Sequence, residues 1–201
     1  IFKYCISIGD SKVLISIKYN SNSNKLFNTR VIGSFLYDIS NKYSASKVEI
    51  NTSNKSILND IVFGFNQKDF TYSIYKKNSN KNKYKSSFKL SSNYLNLLNS
   101  INFLKELVSE PSNIIYPETF VTRTKKNINH SNVDIKILKK DKIQKIGLDC
   151  LLAVSQGSAR EPRVMEFAKK NSNKNVDILF VGKGVCFDSG GISIKPSAGM
   201  E

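Results

Sequence analysis

Apolar residues that favour β-strands lie in two short stretches near the start of the chain. These stretches, 5–8 and 13–17, are separated by the turn residues Gly9 and Asp10. Two such stretches joined by a short turn predict a β-hairpin. The pattern then predicts an amphipathic helix over 31–43 and a further strand over 47–50. Alternation of strands and helices indicates a small α/β unit.

The middle of the chain contains an abrupt change of composition. Residues 78–87 are exclusively Ser, Asn, Lys and Tyr, so they can bury little surface and are expected to form a surface excursion. A helix capped by Ser91 or Ser92 follows. Its apolar residues recur at offsets of mostly three and four, namely Tyr94, Leu95, Leu98, Ile101, Leu104, Leu107 and Val108. We therefore predict a partial N-terminal α/β domain over 1–90 and a linking helix over 91–109.

Strand and helix patterns alternate again in the rest of the chain. Pro117 suits the first turn of a helix, and Gly147 can close another helix in a left-handed conformation. The other predicted elements are strands over 134–138, 164–168 and 177–181 and a helix over 141–146. Because the last strand is continuously apolar, it is typical of a parallel sheet covered on both faces. We predict that 110–201 begins a second α/β domain with a mostly parallel sheet, whose carboxyl edge binds ligands.

The charge balance is strongly basic. Lysine and arginine total 31 against 16 acidic residues, a formal net charge of +15. Such an excess fits a polyanion partner. However, only four of the basic residues are arginines and the lysines are scattered along the chain, whereas nucleic-acid binders favour arginine and gather their charge on one face. Nucleic-acid binding is therefore disfavoured.

Cysteine usage and hydropathy bear on location. The three cysteines are far apart and include no C-x-x-C pair, which fits a reducing cytosol. No apolar run approaches the roughly 18 residues of a membrane span, and the chain lacks a signal-peptide pattern at its start. We expect a cytoplasmic protein without membrane contact. Since the first residue is Ile and Glu201 interrupts a Gly-rich stretch, we also expect truncation at both ends.

Five of the ten glycines lie in the last twenty residues, interleaved with Lys183, Asp188, Ser189 and Lys195. Glycine lets a backbone approach a ligand closely, so this stretch is a candidate site. The spacing matches neither a P-loop nor a dinucleotide fingerprint. A nucleophilic Ser189 lacks a base, because the single histidine, His130, lies in a polar Asn-rich stretch.

A metal site is the third interpretation of this stretch. Lys183 and Asp188 would be ligands, and Lys195 would direct a positive charge at the substrate. An amine binds a metal only when it is neutral, which at pH 7 requires nearby dications, since the usual pKa of lysine is about 10.4. The physical chemistry permits this interpretation and does not demand it.

Three blocks of sequence resemble a known family. Residues 181–196, VGKGVCFDSGGISIKP, closely resemble the signature of the leucyl (cytosol) aminopeptidase family. The stretches 106–113, ELVSEPSN, and 151–158, LLAVSQGS, resemble two further blocks in the family's order. Three ordered blocks are far more specific than one short motif.

The resemblance implies an N-terminal α/β domain, a linking helix and a catalytic α/β domain, usually assembled as a homo-hexamer. It implies two divalent metal ions per subunit, with manganese or zinc favoured and magnesium or cobalt as alternatives. Lys183 corresponds to the amine ligand of one metal, Asp188 to the carboxylate shared by both, and Lys195 to the catalytic lysine. The implied substrates are peptides with a free N-terminus, from which leucine and other residues are released during intracellular turnover.

The family's remaining metal ligands and its catalytic arginine would lie beyond Glu201. We therefore expect the 201-residue chain to be inactive and the parent protein to be active. Cys186 is expected to be a packed thiol, and Arg160 and Arg163 receive no role. The alternatives are a non-catalytic homologue that keeps the fold and a basic nucleic-acid-binding module.

Overall fold

The structure is a computed structural model. It describes the chain apart from residues 1, 11, 20–24, 78–84, 87, 129–131, 171–175, 199 and 201. The chain divides into two compact units, Ile1–Val108 and Ser109–Glu201. Among the described residues no helix is both long enough and apolar enough to cross a membrane.

The first unit begins with the predicted hairpin. Strands β1 (Phe2–Ile8) and β2 (Val13–Tyr19) pair antiparallel, with Ile6 opposite Ile15. At the turn, the Gly9 amide donates a hydrogen bond to the carbonyl oxygen of Lys12 over 2.9 Å. The local turn signal was thus sufficient to predict both strands.

Two packed helices form the core of the first unit. They are α1 (Lys25–Lys42) and α2 (Lys55–Asp69). The buried apolar residues of this pair are Ile32, Ile61, Val62, Phe63 and Phe65. Helix α1 begins earlier than predicted, and α2 was not predicted, although Asn54 marks its start by accepting hydrogen bonds from the amides of Ser56 and Ile57.

Glycines let these two helices approach each other closely. A Cβ atom on Gly33 would lie 1.9 Å from the Ile61 carbonyl oxygen, and one on Gly64 would lie 2.1 Å from the Arg30 carbonyl oxygen. Both distances are far inside van der Waals contact, so no side chain fits at either position without separating the helices.

The remainder of the first unit is a short parallel strand pair and a long helix. Strands β3 (Lys47–Val48) and β4 (Lys85–Ser86) pair side by side, so the strand predicted over 47–50 is shorter than expected. Most of the predicted surface excursion lies outside the described residues. Helix α3 (Ser92–Ser109) confirms the predicted helix, and it buries Leu98 and Leu107. The division into domains at 90 and 109 stays a prediction.

The second unit mixes helices and strands. In chain order its elements are α4 (Pro117–Asn127), β5 (Val133–Leu138), α5 (Lys140–Lys145), α6 (Asp149–Ser155) and β6 (Val164–Lys169). Gly147 follows α5 with φ +74°, as predicted for a left-handed helix end. The core of the second unit contains Ile115, Val121, Leu138 and Ile143. The α/β class predicted for the chain is confirmed.

The pairing within this unit differs from the predicted mostly parallel sheet. Strands β5 and β6 run antiparallel, with Ile135 opposite Phe167. The parallel part of the expected sheet is not formed by the residues that the structure describes. Continuous apolar character indicates burial on both faces, but it does not say which strands provide that burial.

The prediction of a strand over 177–181 is wrong. Within the described part of the chain this stretch forms no strand, and Ile178, Leu179, Phe180 and Val181 are 70–90% exposed. A strand exists only when a neighbouring strand accepts and donates its backbone hydrogen bonds. Since no described strand lies alongside, the apolar sequence alone does not produce the element.

Candidate functional site

The Gly-rich stretch folds into a tight turn centred on Asp188. The Gly190 amide donates a hydrogen bond to Asp188 Oδ1 over 2.9 Å. The Lys195 amide donates to the Ser189 carbonyl oxygen, also over 2.9 Å. These two bonds close a loop over residues 188–195 that contains no helix or strand.

Two adjacent glycines make the turn possible. Gly190 has φ +93° and Gly191 has φ +68°, in the left-handed region that favours glycine. A Cβ atom on Gly190 would also lie 2.4 Å from the Ser193 carbonyl oxygen. Glycine at position 190 is therefore required by both backbone conformation and space.

Asp188 and Lys195 form an ion pair across the turn. Lys195 Nζ donates to Asp188 Oδ2 over 2.8 Å, and the two side chains are 49% and 63% exposed. The hydrogen bond from Lys195 is the largest cause of a lowered Asp188 pKa. The Gly190 amide adds to this lowering, and the charge of Lys183 contributes a smaller part. The turn thus favours an ionised carboxylate.

Lys183 stands apart from this contact. It is exposed, and its effect on Asp188 is that of a nearby charge rather than of a hydrogen bond. The structure therefore joins two of the three predicted site residues directly and leaves the third on the preceding exposed stretch. The roles assigned to Lys183, Asp188 and Lys195 stay predictions.

The donor set of this loop does not by itself fit a metal centre. Across the described residues there is no group of three or more His, Cys, Asp or Glu side chains that could hold a metal ion. Asp188 and Lys183 are two candidate ligands, whereas catalytic metal sites commonly use three protein ligands for one ion. Each Asp188 oxygen also already accepts a hydrogen bond.

Cys186 behaves as a packed thiol. It is a free cysteine of intermediate burial, and burial raises its pKa. A raised pKa keeps the thiol protonated near neutral pH, whereas a nucleophilic cysteine needs a lowered one. His130, considered as a base for Ser189, lies outside the described residues.

Several charged residues of the second unit have structural contacts that the sequence did not reveal. Arg123 donates to the buried carboxylate of Glu110 over 2.5 Å. The guanidinium of Arg160 lies 4.0 Å from the centre of the Tyr116 ring. Arg163 donates to Glu161 over 3.0 Å. Arg123 lies 13 positions from Glu110, and Arg160 lies 44 positions from Tyr116, so no local sequence pattern indicates either contact. Only the contact of Arg163 with Glu161, two positions away, could be expected from spacing.

Comparison with known protein families shows which family the chain is related to. Residues 102–201 match the family model described as the cytosol aminopeptidase family, catalytic domain. The chain belongs to the cytosol aminopeptidase family. The match covers the closed loop and all three predicted site residues.

Curated relatives of this cytosol aminopeptidase family member agree with the match. A probable cytosol aminopeptidase of Phytoplasma mali is 47% identical over 103 residues, which are 50% of this chain and 20% of the relative. One of Caulobacter vibrioides is 45% identical over 107 residues, which are 52% of this chain and 22% of the relative. The aligned part of the chain thus spans about a fifth of the length of these relatives.

Solved structures share the fold over nearly the whole chain. A tomato leucine aminopeptidase mutant aligns with a TM-score of 0.70 at 16% identity, over 94% of this chain and 42% of the tomato chain. The bottromycin maturation enzyme BotP in complex with Mn aligns with a TM-score of 0.73 at 19% identity, over 98% of this chain and 45% of the BotP chain. At these identities the likeness supports the α/β fold alone.

Proposed function

We propose that the whole protein is a metal-dependent aminopeptidase that releases unblocked N-terminal amino acids, leucine among them, from peptides. The observation that carries the proposal is the match of residues 102–201 to the family's catalytic domain. We further propose a cytoplasmic homo-hexamer that acts in intracellular protein and peptide turnover.

The proposed site residues have distinct roles. Lys195 is the proposed catalytic residue, because its ammonium group can stabilise the oxyanion of a tetrahedral intermediate. The contact with Asp188 Oδ2 holds that ammonium group at the closed loop. Asp188 and Lys183 are proposed metal ligands that require additional ligands, since the described residues supply no third one beside them.

The proposed cofactors are two divalent metal ions per subunit. Manganese and zinc are favoured, with magnesium and cobalt as alternatives. The structural neighbour BotP was solved in complex with Mn, which supports the proposal that this protein also binds metal. Because the described residues contain no group of three or more His, Cys, Asp or Glu side chains that could hold a metal ion, we propose that the 201-residue chain is inactive and binds divalent metal weakly.

Hydrolysis of a leucyl amide tests the proposal. The whole protein is expected to release leucine when manganese or zinc is supplied, and the 201-residue chain is expected to release none. In the whole protein, Lys195→Ala is expected to lower kcat by about 100-fold or more, the loss typical of removing one oxyanion-stabilising group.

Lys170→Ala is the matched control. Lys170 is also a half-exposed lysine of the second unit and lies 4.0 Å from the carboxylate of Asp134, so its loss should leave kcat unchanged. Metal-dependent release of leucine by the 201-residue chain would contradict the inactivity of this chain. A whole protein that is inactive with all four metals would contradict the proposed function.

A further inference from the structure

Three consecutive residues surround Lys195 in the closed loop. The Ser189 carbonyl oxygen accepts the Lys195 amide over 2.9 Å, and Asp188 Oδ2 accepts its ammonium group over 2.8 Å. The third residue, Gly190, lies beside the stem of the lysine side chain. A Cβ atom on Gly190 would lie 3.0 Å from both Lys195 Cγ and the Lys195 amide nitrogen. The backbone, the stem and the charged end of Lys195 are therefore all adjacent to the same short turn.

The two glycines of the turn differ in what they require. A Cβ atom on Gly190 would also overlap the Ser193 carbonyl oxygen, so any side chain there displaces the segment that leads to Lys195. A Cβ atom on Gly191 would meet no heavy atom within 4 Å, so this position needs only its left-handed backbone conformation. Asparagine adopts that conformation more often than most other residues. Asparagine can therefore replace Gly191, whereas no side chain fits at position 190.

A lysine side chain is flexible unless the protein restrains it. Its stem has several rotatable bonds and loses rotamer entropy when it is fixed. A charge that stabilises an oxyanion is most effective when it is held in place before the reaction. A displacement of about 1 Å in a catalytic group can lower a rate by about 100-fold. The space that Gly190 leaves beside the Lys195 stem therefore bears on the reaction as well as on the conformation of the loop.

We infer that Gly190 is a positioning residue for Lys195, because its missing side chain leaves the space in which the lysine stem and amide lie. The inference rests on the proposed catalytic role of Lys195 in aminopeptidase action. Gly190 acts through Lys195 and takes no part in the chemistry itself. A side chain at position 190 moves the lysine away from its contacts with Ser189 and Asp188, whereas Gly191 supplies only the turn of the backbone.

A double-mutant cycle in the whole protein tests whether Gly190 acts through Lys195. Gly190→Ala is expected to lower kcat for a leucyl amide by about 10- to 100-fold, with KM nearly unchanged. In the Lys195→Ala background the same substitution should lower kcat no further, because no ammonium group is left to misplace. Gly157→Ala is the matched control and should leave kcat unchanged, because a Cβ atom there meets no heavy atom within 4 Å.

Nuclear magnetic resonance of the 201-residue chain reports on the position of Lys195 independently of catalysis. The original chain should show nuclear Overhauser effects between the Gly190 α protons and the Lys195 γ protons. Gly190→Ala should accelerate hydrogen exchange of the Lys195 amide by about fivefold, the loss expected for one hydrogen bond. Gly191→Asn should retain both the original exchange rate and the proton contacts. Unchanged amide signals of α4 show that the second unit stays folded in each variant.

Three results would overturn the inference. The first is a kcat that Gly190→Ala leaves unchanged or lowers equally with and without Lys195. The second is a Gly190→Ala chain in which the Lys195 amide keeps its original exchange rate. The third is an equal acceleration of this exchange by Gly191→Asn.

These results are separate from failure of the proposed function. None of them contradicts aminopeptidase action, which is tested by leucine release from the whole protein. A whole protein that releases no leucine contradicts that function, and the magnetic resonance comparison then still decides whether Gly190 positions Lys195.

Discussion

The helix pair of the first unit and the segment 176–194 of the second unit are both rich in apolar residues, yet they differ completely in burial. In α2, Ile61, Val62, Phe63 and Phe65 are 0–7% exposed. In the later segment, residues 178–181 are 70–90% exposed. The difference shows that apolar sequence favours burial but that a neighbouring element must supply it.

The two regions differ in how the hydrogen-bonding groups of their backbone find partners. A helix makes its hydrogen bonds internally, so α1 and α2 need only side-chain packing from each other. A strand makes its hydrogen bonds to another strand, so the stretch 177–181 cannot form its element alone. The described residues supply neither a neighbouring strand for 177–181 nor a third ligand beside Asp188 and Lys183.

Among the changes that test this comparison, removal of a buried phenyl ring should have the largest effect on stability. Phe63 is fully buried, and its ring lies 5.7 Å from that of Tyr94. Phe63→Ala is expected to lower the free energy of unfolding of the first unit by about 3–5 kcal/mol. Hydrogen exchange of the α2 amides under increasing urea measures the loss.

Phe180→Ala is the matched variant, because it makes the same chemical change at a residue that is 90% exposed. We expect it to change stability by less than about 0.5 kcal/mol. A loss as large as that of Phe63→Ala would show that residues 178–181 are buried in solution and would break the comparison.

A methyl group at the helix contact should have the next largest effect. Gly64→Ala places a Cβ atom 2.1 Å from the Arg30 carbonyl oxygen, so α1 and α2 must move apart. We expect a loss of about 1–3 kcal/mol, measured by the same hydrogen exchange. Gly157→Ala, with no heavy atom within 4 Å of the new Cβ atom, should cause no loss. Equal stability of Gly64→Ala and the original chain would contradict the close helix contact.

Loss of one hydrogen bond should have a smaller effect. The Tyr94 hydroxyl donates to Asp60 Oδ1 over 2.7 Å, and this bond is the main cause of the raised Tyr94 pKa. Tyr94→Phe is expected to destabilise the first unit by about 1 kcal/mol, measured by urea unfolding. Tyr43→Phe, in a partly exposed tyrosine, serves as the control. An unchanged free energy of unfolding in Tyr94→Phe would contradict a stabilising role for this hydrogen bond.

The smallest effect is expected in the exposed loop over 188–195, where the pKa of Asp188 should shift. The pKa of Asp188 is lowered mainly by Lys195, so the ion pair is present above the usual carboxyl pKa and is lost as the pH falls through the lowered value. Carbon NMR of the Asp188 carboxyl group should show this lowered pKa in the original chain. Lys195→Gln should return it toward its ordinary range, and an unchanged pKa in this variant would contradict the ion pair.

Local signals in the sequence predicted much of the fold. The turn at Gly9 and Asp10 predicted the hairpin, Pro117 marked the start of α4, and Gly147 marked the end of α5. Helix α2 was missed although Asn54 offers a helix cap and apolar residues follow at helical spacing. The sequence therefore contains the signal for α2.

Other features could not be predicted from the sequence. The spacing of Asp188 and Lys195 by seven positions, in a loop without regular structure, does not indicate an ion pair. The contact of Arg123 with buried Glu110 likewise depends on how α4 lies against the residues before it. Such contacts depend on where the backbone places two side chains, and no local pattern encodes that position.

The sequence by itself determined the family relationship, the α/β class, and the glycines that allow the closed loop. These properties depend on residue types within a few positions of one another, where turn geometry and helix spacing act directly. Only the tertiary structure decided that Lys195 pairs with Asp188, that Gly33 and Gly64 lie at a helix contact, and that residues 178–181 are exposed. Burial and pairing depend on what lies alongside a residue in space, and distant parts of the chain supply it.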